Sequence, residues 1–186
     1  MAVSLMSLWV PILVAAVLVF VVSSVIHMML KYHQTDFLAL PGEAQAMEAL
    51  RPLNIPPGDY VIPHAGSMEV MKTPEFQAKA EAGPVMFVTV LPNGVPGMGA
   101  SLLLWFVYCI VVGLFAGYVG SRTLAPGTGY LEVFQATGTV AFAGYGLALL
   151  QGSIWYKRKW SATWKSVFDA LIYGLVTGGT FGWLWP

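Results

Sequence analysis

The chain has 186 residues, 57% hydrophobic and only 10% charged, with nine basic and nine acidic side chains in formal balance. So little polar surface excludes a water-soluble globule, and the absence of net charge excludes a general basic face for nucleic acid. Cys109 is the only cysteine, which excludes an internal disulfide and any multi-thiolate metal site and leaves it as a small packing residue.

Charges are nearly absent from four apolar stretches, Leu5 to Leu30, Met98 to Gly120, Tyr130 to Gln151 and Ser166 to Pro186. Each is about the twenty residues with which a helix crosses some 30 Å of hydrocarbon. The pattern predicts an all-α membrane protein of four transmembrane helices, with a small α+β extramembrane cap between helices 1 and 2. The boundaries are residues 1–32 for helix 1, 33–97 for the cap and 98–186 for helices 2 to 4. The first stretch has no basic leader and no small-residue cleavage motif before Lys31, so it reads as a retained helix. Pro11 falls in its first turns, where a missing N–H costs least.

Within the cap, Pro41 opens a short helix through Glu43, Ala44, Met47 and Leu50, ended by Asn54-Ile55-Pro56-Pro57-Gly58. Asp59 to Ile62 reads as a strand. Thr73 is a natural N-cap with Pro74 at the first helical position and Gly83 as the stop. Val85 to Leu91 is β-branched and apolar, a second strand, and Pro92-Asn93-Gly94 turns the chain back. A unit of under seventy residues needs outside contacts to complete its core. The link Ser121 to Gly129 is short and makes helices 2 and 3 antiparallel neighbours.

Basic residues near helix ends set the expected orientation. Lys31, Lys157, Arg158, Lys159 and Lys165 lie on one side and Arg122 on the other, so the positive-inside rule places both termini outside the cytoplasm and the cap within it.

Small residues mark where helices touch. Gly113 and Gly117 form a Gly-xxx-Gly pair on helix 2, and Gly174, Gly178 and Gly182 recur every four residues on helix 4. Backbones approach closely along such stripes, either within the bundle or against another subunit. Beside the second stripe runs a polar one, Asp169, Tyr173, Thr177 and Thr180, and helix 3 opens with Glu132, Gln135 and Thr139 at the same period. Together these could line a path for a proton, an ion or a small solute. The simpler reading is that both acids sit near an interface, Asp169 paired with Lys165 and Glu132 with Arg122 or water.

His27 at the end of helix 1 and His33 after it, with His64, Met68 and Met71 in the cap, offer imidazole and thioether ligands suited to Cu(I), although their spacing matches no established motif. No nucleophile elbow, zinc-protease helix or phosphate loop occurs. The sequence therefore predicts neither a catalytic residue nor a cofactor or metal site.

The run Arg122 to Thr128, with Phe168-Asp169-Ala170-Leu171-Ile172-Tyr173 and the closing Phe181-Gly182-Trp183-Leu184-Trp185-Pro186, resembles segments of small bacterial membrane proteins. The resemblance implies a four-helix protein of the bacterial inner membrane and carries no chemistry. The leading functional expectation is a non-catalytic accessory or scaffolding subunit. It would pack against another membrane protein or a second copy of itself in the lipid bilayer. The alternative is a small transporter or proton-linked channel built on the polar stripes of helices 3 and 4.

Overall fold

The computed structural model describes residues 3–186. Four helical segments, Leu5–Met29, Met98–Thr123, Tyr130–Tyr156 and Trp160–Leu184, are long and apolar enough to span a membrane, which makes the chain a multi-pass membrane protein. In chain order, a 3-10 turn leads into α1 (Trp9–Met29), a second 3-10 turn covers Lys31–Thr35, and α2 (Glu43–Leu50), β1 (Gly58–Ile62), α3 (Met68–Met71), α4 (Pro74–Ala82) and β2 (Met86–Val90) follow. Then come α5 (Met98–Thr123), α6 (Tyr130–Phe142), a π-helical turn at Ala143–Leu147, α7 (Leu149–Tyr156) and α8 (Trp160–Leu184).

The chain forms two compact units, Ala39–Pro96 and the remainder. In the smaller one, β1 and β2 pair antiparallel with Gly58 opposite Val90 and Ile62 opposite Met86. The Thr73 side chain accepts from the Phe76 N–H, with Pro74 at the first helical position and Gly83 at φ 63° ending α4, as its turn chemistry dictates. Helix α3, whose N-cap is Ser67, was not expected. This unit begins at Ala39 instead of residue 33 because the segment up to Leu38 is tied to the helix bundle.

The bundle packs by close approach. A Cβ on Gly178 would stand 2.7 Å from the Phe134 carbonyl oxygen, and one on Gly182 2.8 Å from the Tyr130 ring. The fourth-span glycines are therefore the seam between α8 and α6. Gly113 and Gly117 serve the same purpose on α5, against Ile12 of α1 and Phe181 of α8. Phe181, Leu8, Val19 and Val133 are fully buried, whereas Leu13, Val17, Leu104, Phe115 and Leu175 are exposed, as lipid-facing side chains should be. The chain end is fastened too. Gly127 N–H donates to the Pro186 carbonyl at 2.7 Å, and Trp185 Nε1 donates to that of Ala125 at 3.0 Å.

The third and fourth spans run further than hydropathy alone predicts, to Tyr156 and from Trp160. The charge that shortens the sequence reading of the fourth, Lys165, turns its ammonium to the 32–36 turn instead of breaking the helix.

Gly178→Ala should lower the unfolding stability of the detergent-solubilised protein by about 1–3 kcal/mol through overpacking. Gly99→Ala, where an added Cβ meets nothing within 4 Å, should leave it unchanged or slightly raised. Equal melting temperatures for the two variants would contradict the seam.

Candidate functional site

Helix α1 stops where Leu30 turns extended, at ψ 129°, and the Lys31–Thr35 turn folds its side chains back toward α8. That reversal brings His33, Tyr32 and Asp36 to a carboxylate on a different helix. Asp169 lies nine residues into α8 from Trp160, about 14 Å along the axis, and is only 2% exposed. A carboxylate buried among apolar helices is costly unless its oxygens are satisfied, and here both are. Tyr32 Oη donates to Oδ1, and His33 Nε2 lies 2.8 Å from Oδ2.

The histidines are oriented from behind. His27 Nδ1 is 3.0 Å from the Ser23 carbonyl oxygen. A carbonyl only accepts, so Nδ1 carries a proton and Nε2 is the nitrogen left for another partner. That Nε2 faces Asp169 Oδ2 at 4.0 Å. His33 Nδ1 is 2.6 Å from Asp36 Oδ2, and Asp36 Oδ1 accepts from Lys165 at 2.8 Å. The two imidazoles stack with centroids 4.6 Å apart. Although burial pushes Asp36 upward, its bonds to Lys165 and His33 outweigh that and hold its carboxyl below the usual range. Burial, then the bond to the Asp169 carboxylate, pushes the Tyr32 phenol well above its ordinary value.

His27, His33 and Asp169 each offer one ligand atom, all within 4.8 Å of one another. Two imidazoles and a carboxylate suit zinc and other divalent transition metals. Metal-binding histidines characteristically donate the second ring N–H to a carboxylate or backbone carbonyl, and these two have such partners in Asp36 and Ser23. Around a tetrahedral ion the ligand atoms stand about 3.4 Å apart. His27, whose side chain is 53% exposed, has the freedom to swing in by the difference.

Beside the cluster a cavity of about 490 Å³ opens between the four spans, within the usual range for ligand pockets. Its walls include Leu102, Trp105, Tyr108, Tyr145 and Tyr173. Trp105 Nε1 donates to Ser23 Oγ at 2.8 Å, and Tyr108 Oη donates to the Gly144 carbonyl at 2.6 Å. Tyr145 enters the wall from the π-helical turn, a device concentrated at functional sites. Among the described residues the hydroxyl of Tyr173, itself 4% exposed, has no hydrogen-bond partner, and neither has that of Thr177.

The structure separates several residues that the sequence suggested together. Asp169, Tyr173, Thr177 and Thr180 are buried in the bundle, but Glu132, Gln135 and Thr139 lie on the exposed side of α6, so the two stripes do not face one another. Gln135 and Thr139 edge an outer groove with Gly138 and Gly174. Asp169 is not paired with Lys165. The ammonium is taken by Asp36, Thr35 and the Tyr32 carbonyl, because the returning turn sits over it. Among the described residues no ion pair joins Glu132 to Arg122, which lies over the Tyr118 ring at 5.5 Å. Of the suggested soft ligands, His27 belongs to the cluster, whereas His64, Met68 and Met71 are in the Ala39–Pro96 unit. Tyr32 and Asp36 were missed, and His33 was noted only as following His27. The available signal was two histidines six residues apart across a helix end, with acids nearby.

No protein-family model matches the chain, and no curated protein or solved structure is significantly similar to it. Its function rests on the chemistry of the site.

Lys165→Met should remove the clamp on the 31–36 turn and cost about 1.5–3 kcal/mol for its charge-assisted bonds. Hydrogen exchange at the amides of residues 31–36 should accelerate while the α6–α8 seam keeps its protection. Unchanged exchange in the turn would show that Lys165 does not hold it.

Proposed function

We propose that this chain is an integral membrane metalloprotein, with one divalent transition metal held by His27 Nε2, His33 Nε2 and an Asp169 oxygen. The observation that carries this is the common aim of two imidazoles, each fixed from behind at Nδ1, on one buried carboxylate. Zinc fits the ligand set best. Three protein ligands leave a tetrahedral ion one open position, the arrangement of a centre that binds or polarises an exogenous group, whereas a purely structural centre is closed.

The scaffolding reading has less support, because the glycine faces that motivated it are occupied within the chain itself. The transport reading keeps only the α8 half of its proposed path. We place the metal site at the cytoplasmic face of a bacterial inner membrane, following the excess of Lys31, Lys157, Arg158, Lys159 and Lys165 over Arg122.

Metal binding and cysteine labelling test these readings. The purified protein should retain about one zinc per chain after dialysis, and Co(II) substitution should give visible absorption of a four-coordinate site. Asp169→Asn or His33→Gln should lower metal affinity about a hundredfold or more, and Asp36→Asn about ten- to a hundredfold, the usual effect of losing an outer partner. His64→Ala should change nothing. Binding that is indifferent to Asp169 and His33 would overturn the metal site. For orientation, in a Cys109→Ala background, Ala125→Cys should react with an impermeant maleimide in intact cells and Lys157→Cys only after permeabilisation. The reverse pattern would invert the topology.

A further inference from the structure

We infer that the cavity beside the metal site receives a single-chain anionic amphiphile, its carboxylate-type head on the metal and its tail along the aromatic wall toward the bilayer. This rests on the metal reading above, and three observations identify the occupant.

The first is charge. Asp36 and Asp169 contribute two negative charges and Lys165 one positive, with the histidines neutral as ligands. A dication then makes the cluster net positive, and the Lys159 ammonium on the Thr35 carbonyl at 3.5 Å adds to it, which favours an anionic head. The second is an unused donor. The Tyr173 hydroxyl lines the cavity, is buried and has no partner among the described residues, a condition that is unfavourable until an acceptor arrives. Tyr173 is one helical turn deeper than Asp169, and side chains on a helix lean toward its N-terminus. Its hydroxyl is therefore carried back toward the Asp169 level, where the head would lie.

The third is the shape and apolarity of the remaining space. At about 30 Å³ per water-sized atom, a cavity of about 490 Å³ accommodates a chain of about a dozen carbons with its head. The α5 wall from Leu102 to Tyr108 runs inward from the face where α5 begins. Leu102 and Tyr108 are each 40% exposed, so this side opens to the bilayer. A molecule with its head at His27 and Asp169 and its tail past Leu102 has the orientation of a lipid in that leaflet, and it can enter laterally without crossing water.

The test uses the full chain in phosphatidylcholine proteoliposomes, zinc-loaded, with a dodecanoate analogue carrying a photoreactive diazirine on its chain. Zinc content is measured on the same samples. Cross-links should map to residues 102–108 and 145–149. They should be competed by unlabelled dodecanoate but not by dodecanol, and be lost on chelation. Tyr173→Phe removes a hydroxyl without a partner among the described residues, so zinc should stay at one per chain while labelling affinity falls about five- to tenfold. Leu102→Trp, on the lipid-exposed wall and outside the helix seams, should obstruct the tail with the same result. One zinc per chain with labels scattered over lipid-facing positions, or with dodecanol competing as well as dodecanoate, overturns this inference and leaves the metal reading standing. Failure to bind zinc through His27, His33 and Asp169 overturns the metal reading and this inference together.

Discussion

The arrangement at this end of the bundle follows from one carboxylate. Asp169 is committed to the interior by its place on α8, on the buried face that it shares with Ala170 and Tyr173. An unpartnered charge there would cost several kcal/mol, so the surrounding chain is organised to meet it. Helix α1 ends early, and the turn after it doubles back. Tyr32 and His33 then reach the two Asp169 oxygens. That turn brings a second acid, Asp36, whose charge is met by Lys165 on α8 itself. The result is a closed set of interactions between two segments well over a hundred residues apart.

The cavity depends on a second irregularity. Backbone that departs from the α-helix within a membrane survives only where its polar groups find partners in the protein. The π-helical turn at Ala143–Leu147 satisfies that condition in part through the Tyr108 hydroxyl on the Gly144 carbonyl. Its effect is to push Tyr145 inward, where its ring meets those of Trp105, Tyr108 and Tyr173 at centroid distances of 5.5 to 6.0 Å. Edge and tilted contacts of this kind hold aromatic walls apart without filling the space between them.

Hydropathy made the four spans legible, and Thr73, Pro74 and Gly83 made α4 legible almost to the residue. Both are local signals. The failures have a common physical origin in what a one-dimensional period leaves out. A period of 3.6 identifies a face but not the direction in which it looks, so Glu132, Gln135 and Thr139 were read as the partner of a stripe from which they turn away. The four-residue spacing of Lys165 and Asp169 suggested a pair along one helix, but the chain returning after Leu30 offered each a better partner. His33 was visible as a second histidine after His27, but nothing in its own segment aimed it at Asp169. On a continuation of α1 it would have faced elsewhere, and only the extended Leu30 redirects it. The π-helical turn is marked in sequence solely by Gly144 and Gly146 flanking a tyrosine, a pattern shared with many ordinary membrane helices.

The seam between α6 and α8 has a mechanical consequence. Where Gly138, Gly174 and Gly178 bring main chain against main chain, there are no intervening side chains whose rotamers can absorb a displacement. The two helices can neither slide nor roll past each other without backbone collision, and they act as a single stiff plate. Asp169 and Tyr173 are mounted on that plate, so their positions are fixed. Helix α1 is different, because it meets α5 and α8 through Ile12, Ala16, Val19 and Ile26, and much of that contact is made by side chains that can readjust. The side of the site that can readjust is therefore the one α1 supplies, with His27 on the yielding wall and Asp169 on the rigid one.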